Sequence, residues 1–168
     1  MKNYRLITPF ELSGKGIHTG VETTVKVYPG EPNQGYTIRR IDIKNSEILR
    51  VNPHCVTDTQ RRTTLSYDKT TVHTAEHLLA ALYGLSIYDA RIELDNSEIP
   101  ILDGSSLPWV EAIKSAGIAP AKHIAFGLRL KNKIRVEDEL TGAWAEAIPS
   151  ERIEFNVELS HDEQAIGS

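Results

Sequence analysis

Only two stretches of this chain fit a helical period, and both stand among segments that alternate as strands do. From residue 21 to 27 (VETTVKV), Thr23, Val25 and Val27 share one side, the two-residue period of a half-buried strand. Before it, Arg5-Leu6-Ile7 leads to the turn-rich Ser13-Gly14-Lys15-Gly16. Pro29-Gly30 and Pro32-Asn33 punctuate, and residues 36–43 then set Ile38, Arg40 and Asp42 opposite Thr37, Arg39, Ile41 and Ile43. Residues 70–83 read as a helix, with Thr71 as its N-cap and Gly84 as its stop. Residues 88–94 form a short strand and Asp103-Gly104-Ser105-Ser106 a turn. Pro108 suits the first turn of a second helix that ends near Gly117. Strands interrupted by two helices predict an α+β fold: a two-layer sandwich with helices on one face of a mainly antiparallel sheet.

Beyond Ala119-Pro120 the character changes. Residues 124–130, 133–136, 143–148 and 153–159 all have strand composition, and the last alternates, with Ile153, Phe155, Val157 and Leu159 on one side. A boundary near residues 118–122 is expected, giving a first domain over 1–120 and the incomplete start of a second over 121–168. A run of strands with no helix leaves an apolar face bare. The expectation is that a further domain of a longer chain, or self-association, covers it.

At 100° per residue, a helix over 70–83 places Ala75, Leu78, Leu79 and Leu82 on a core side and His73, Glu76, His77 and Ala80 on the other. That second side is not a lysine–glutamate surface. Histidines four apart stand one above the other and can share a cation. A carboxylate beside a metal-bound water can take its proton. A solvated helix face that happens to hold two imidazoles is the competing reading. His-x-x-Glu-His is also the inverzincin peptidase signature, so the pattern alone leaves two hydrolase classes open.

Composition removes other classes. The chain has 168 residues and a net charge of -4, without the basic patch of a nucleic-acid binder. Its single cysteine, Cys55, excludes an intrachain disulfide and reads as a small buried hydrophobe. The N-terminal residues MKNYRLITPFELSGKG lack a signal-peptide pattern, and no apolar run approaches the length of a membrane span. The expectation is a cytoplasmic protein.

Three longer motifs carry a resemblance. Ser13-Gly14-Lys15-Gly16-Ile17-His18-Thr19-Gly20 looks like a G-x-G-[LI]-H-[ST]-G segment. Residues 71–82, TVHTAEHLLAAL, are similar to an H-T-x-E-H-L-L-A-A-L helix. Glu98-Ile99-Pro100-Ile101-Leu102-Asp103-Gly104-Ser105-Ser106 resembles E-[IV]-P-[IL]-x-D-G-S. In this order and spacing they resemble the UDP-3-O-acyl-N-acetylglucosamine deacetylase family, which removes an acetyl group from a nucleotide-sugar lipid precursor in lipid A synthesis. The resemblance implies a zinc ion, with iron as a replacement at such N/O sites. It makes Glu76 the general base and His77 the first metal ligand. His73 lies in the motif but is not a family ligand. His18 matches a histidine at the active-site mouth, and Asp103 is expected to hold local backbone amides in its turn. Thr59-Gln60-Arg61-Arg62-Thr63-Thr64 sits where the family has smaller or more apolar residues near its acyl passage. Thr59, Arg62 and His18 are therefore the candidates for substrate contact.

The family's other metal ligands, a histidine and an aspartate in H-x-x-x-D, belong to its second domain. After His77 only His123 and His161 remain, and Gly127 and Ala165 stand four residues beyond them. One ligand does not make a tight site, since catalytic zinc takes three. The expectation is a truncated enzyme, inactive or weakly active alone. Two alternatives stand beside it: an inverzincin-type metallopeptidase, and a non-catalytic homologue that binds a nucleotide sugar or a partner.

Overall fold

The computed structural model describes residues 3–123, 127 and 129–159. Two compact units divide between residues 126 and 127.

The first unit contains, in order, β1 (Tyr4–Leu6), β2 (Phe10–Lys15), β3 (Glu22–Pro29), β4 (Tyr36–Arg40), β5 (Leu49–Arg50), a 3-10 turn (Pro53–Cys55), β6 (Val56–Asp58), β7 (Thr64–Tyr67), β8 (Thr70–Val72), α1 (Glu76–Gly84), β9 (Ala90–Leu94), α2 (Leu107–Ala116) and β10 (Ile118–Pro120). Five strands form the main sheet in the order β2-β3-β9-β4-β5. All pairings are antiparallel except β4 with β9. β6-β7-β8 make a smaller sheet and β1 pairs with β10.

Alternation builds the core as expected. Thr23, Val25 and Val27 of β3 point inward, with Val25 opposite Leu94 and Val27 opposite Ile92. Ile38 of β4 also lies opposite Ile92. Leu78, Ala81 and Leu82 of α1 and Trp109 and Ile113 of α2 close that inner face. Full burial stabilises by about 1.5–3 kcal/mol per large side chain. The outer face is polar: Lys26 meets Glu11 at 3.1 Å, Arg91 meets Glu93 at 3.1 Å, and the Arg91 guanidinium lies over the Tyr28 ring. Buried Cys55 is a core residue, as read.

Three expectations are corrected. The strand predicted over 36–43 stops at Arg40, because that buried guanidinium grips Asp42 through both carboxylate oxygens, at 2.8 and 2.5 Å, and turns the chain. The strand predicted over 88–94 begins at Ala90. Asp89 is occupied instead, accepting from the Gly35 N–H at 2.8 Å and pairing with His123 Nε2 at 2.8 Å. The third correction concerns the helix predicted over 70–83, which begins only at Glu76. Thr70, Thr71 and Val72 are β-branched, which favours a pleated strand, and they pair with Tyr67, Ser66 and Leu65. Thr71 is therefore a strand residue, not an N-cap. Thr74, at φ 59°, breaks the extended run before α1. The second helix is as predicted: Pro108 sits in its first turn and Gly117 ends it at φ 81°.

The second unit holds one described hairpin, β11 (Ile134–Glu137) with β12 (Trp144–Ala147). Asp138 makes its turn by accepting from the Leu140 and Thr141 N–H groups, and Gly142 closes it at φ 69°. These strands match the segments expected at 133–136 and 143–148. The segment expected at 124–130 lies largely outside the described residues. The alternating run at 153–159 is not a strand. Alternation selects a face, but a strand also needs a neighbour for its N–H and C=O groups, and none pairs with it among the described residues. Ile153, Phe155, Val157 and Leu159 are all exposed.

Candidate functional site

The motifs converge where β8 gives way to α1. His73 is still extended: its N–H donates to Ser97 O at 2.8 Å and its carbonyl accepts from Ile99 N–H at 3.0 Å. Its Nδ1 lies 3.1 Å from the Thr64 hydroxyl. Burial, helped by the Arg62 and Arg40 charges, lowers its pKa, while Glu98 opposes them. His73 thus lies off the helix, and the stacked His73–His77 pair drawn from a continuous helix does not form.

Glu76 and His77 occupy the first two positions of α1, both half-buried. A carboxylate is favoured there by the unpaired N–H groups of a helix start. Its Oε2 also accepts from Thr63 N–H at 2.9 Å. The Asp103 carboxyl lies below its ordinary range. The chief cause of the Asp103 shift is local, since its Oδ1 accepts from the Ser105 N–H at 2.9 Å and the Ser105 hydroxyl at 2.8 Å. Asp103 has the turn role expected of it.

His18 sits on the loop between β2 and β3, with an exposed side chain, and its backbone N–H donates to Glu98 Oε1 at 3.0 Å. Arg62 is half-buried. Its Nε is shielded from solvent with no hydrogen-bond partner among the described residues, and its charge also reaches His73. Thr59 is exposed on the segment joining β6 to β7. Of these three residues, Arg62 alone is partly buried, and its charge is among the causes that lower the His73 pKa. His123 is spent on Asp89.

Glu98, which heads the E-[IV]-P segment of the sequence, is the fully buried carboxylate of the region. Its Oε1 accepts from His18 N–H at 3.0 Å and from the Thr74 hydroxyl at 3.0 Å, and its Oε2 from Thr19 N–H at 2.8 Å. Burial works to raise its pKa. The Thr19 hydroxyl, the two amides and the Thr74 hydroxyl outweigh it and bring the value down to about 2. Gly16 makes the room, since a Cβ there stands 2.2 Å from Glu98 Oε2. The available signal was an acidic residue heading the apolar run Glu98-Ile99-Pro100-Ile101-Leu102, where a charge needs dedicated donors.

The fold and the site define an α+β domain that presents a carboxylate and an imidazole side by side at the start of a helix. Among the described residues no three His, Cys, Asp or Glu side chains gather as a metal site. Residues 4–168 match the family LpxC: UDP-3-O-acyl N-acetylglycosamine deacetylase, and the chain belongs to that family. It is 38% identical over 166 residues to the bifunctional enzyme LpxC/FabZ of Bacteroides thetaiotaomicron, covering 99% of this chain and 36% of that protein. The UDP-3-O-acyl-N-acetylglucosamine deacetylase of Colwellia psychrerythraea is 37% identical over 164 residues, 96% of this chain and 53% of that protein. That of Shewanella sediminis is 38% identical over 156 residues, 91% and 50% respectively. The chain therefore spans about half the length of these two deacetylases and about a third of the bifunctional enzyme.

Proposed function

We propose that this chain supplies one wall of a zinc-dependent deacetylase centre that removes the N-acetyl group from UDP-3-O-acyl-N-acetylglucosamine in lipid A synthesis. The observation that carries the reading is the adjacent placement of Glu76 and His77 at the start of α1, within a chain matched to the deacetylase family along residues 4–168. His77 is the residue that would hold the metal, zinc by preference and iron as a substitute. Its half-buried imidazole beside a carboxylate is a fitting donor, although it is one donor where a catalytic site takes three. The metal's chemistry is to lower the pKa of a bound water and to polarise the amide carbonyl.

Glu76 holds one oxygen, Oε2, on Thr63 N–H. Oε1 receives the proton of the attacking water as that water's oxygen bonds to the acetyl carbon, and the general-acid histidine implied for the family's second domain protonates the amine as the C–N bond breaks. His18, Thr59 and Arg62 contact substrate, with the Arg62 guanidinium suited to an anionic group. The remaining ligands come from a second domain, of which residues 121–168 are the opening. That domain, or a second copy of the chain, covers the exposed Ile153, Phe155, Val157 and Leu159. No described helix is long and apolar enough to cross a membrane, and the proposed setting is the cytoplasm.

The test is acetate release from UDP-3-O-acyl-N-acetylglucosamine, with zinc. One sample is this chain alone and the other is this chain joined to the second half of the Colwellia enzyme. The fused protein should turn over the nucleotide sugar and leave generic peptides intact, while the chain alone stays near background. Peptide cleavage, or an inactive but folded and zinc-loaded fusion, sinks the reading.

A further inference from the structure

A strained residue stands two positions before Glu76 at the entry to α1. Thr74 is β-branched and has φ 59°, in the left-handed region that such residues avoid. Conformations of this kind persist where surrounding contacts over-determine them. Here the flanking backbone is tied to Ser97 and Ile99 through His73, and the Thr74 hydroxyl donates to Glu98 Oε1 at 3.0 Å. The same carboxylate accepts the backbone N–H groups of His18 and Thr19 at 3.0 and 2.8 Å. That loop is closed on itself by Gly20 N–H to Gly16 O and Gly16 N–H to Val21 O, each at 3.0 Å. Glu98 thus joins two segments far apart in sequence: the loop that carries His18 and the turn that throws the chain from β8 into α1.

We propose that Glu98 is a positioning residue of the deacetylase site, whose carboxylate fixes the His18 loop and the Thr74 turn in one geometry and so holds that loop in place relative to the turn that leads into Glu76 and His77. What is positioned rests on the deacetylase reading; the fastening itself does not. The charge matters as well as the shape. Donors converge on both oxygens, and a neutral amide of the same size offers one oxygen and turns its own N–H groups toward donors.

Nuclear magnetic resonance on this chain, without metal or substrate, tests the fastening. In Glu98→Gln and Glu98→Ala, amide exchange at His18 or Thr19 should quicken by about tenfold or more, and Thr74 should lose the coupling and NOE signature of positive φ. Amides of Val25 and Ile92 in the central sheet should stay within about twofold of their starting rates. Two milder variants guard against failure to fold. Thr74→Val should loosen the amides of Ala75, Glu76 and His77, and Thr74→Ser, which restores the hydroxyl, should return them to their original rates. Unchanged exchange and unchanged Thr74 φ overturn the proposal. Equal acceleration throughout the sheet also overturns it, because Glu98 then serves stability alone. Either failure leaves the deacetylase reading standing, whereas a negative acetate-release assay leaves the fastening intact without that function.

Discussion

Gly16→Ala offers a quantitative probe of the packing around Glu98. The new Cβ would lie 2.2 Å from Glu98 Oε2, 2.5 Å from its Cδ and 2.7 Å from Thr19 Oγ1. About 1 Å must be recovered to reach ordinary contact distances. The obstacle is not a free side-chain end, since the carboxylate is held by His18, Thr19 and Thr74. Moving it sacrifices two hydrogen bonds to a charged group, at about 1.5–3 kcal/mol each. Loss of glycine's freedom in the unfolded chain returns about 0.4–1 kcal/mol. The net loss is about 3 kcal/mol, or a fall in Tm on the order of 10 °C for a unit of this size. Urea unfolding followed by circular dichroism gives the measurement, and a double-mutant cycle assigns it. In a Glu98→Ala background the clash with the carboxylate is gone and only the rotatable Thr19 hydroxyl, 2.7 Å away, must give, so Gly16→Ala should cost about 1 kcal/mol, a coupling of about 2 kcal/mol. Equal losses in both backgrounds would refute the reasoning, because the cost would then lie elsewhere in the loop.

Other outcomes follow from the same packing and charges. Leu82→Ala empties a fully buried position of α1 and should lower denaturant stability by about 2–5 kcal/mol. Gly30→Ala drives a Cβ to 2.5 Å from the backbone nitrogen of Ala90, which cannot rotate away, so its melting temperature should fall clearly below that of the parent chain. Acid should destabilise the fold in two stages. His73 has a folded pKa below its ordinary 6.5. The unfolded state therefore takes up its proton first, and stability is lost as pH falls below about 6.5. Glu98 contributes fully above its ordinary value of 4.5, and that contribution disappears as pH falls toward about 2. Unfolding curves across this range should show His73→Gln flattening the upper stage and leaving the lower one.

The sequence displayed most clearly what depends on neighbours along the chain. Alternation marked Thr23, Val25 and Val27 as inward-facing, and Pro108 and Gly117 framed the second helix. The start of the first helix was hidden. The pattern from residue 70 onward fits a helical period, but Thr70–Val72 gains a ladder with β7 that only the folded chain supplies. With that change the two-histidine helix face vanished, and Glu76 and His77 remained as neighbours at a helix start. Glu98 was hidden for a related reason. Its meaning lies in donors from residues 18, 19 and 74, and no local spacing announces them. The run at 153–159 shows the converse: the alternation is clear, and no partner strand among the described residues meets it.

In the proposed site Glu76 would move the proton and His77 would hold the metal. Zinc content and turnover, measured together on the fusion with the Colwellia second half, separate the two roles. Glu76→Gln should retain zinc and lose about 10²–10⁴ in kcat, the usual worth of a general base. His77→Ala should lose zinc and activity together. A Glu76→Gln protein that keeps its kcat, or a His77→Ala protein that keeps its zinc, would contradict the account.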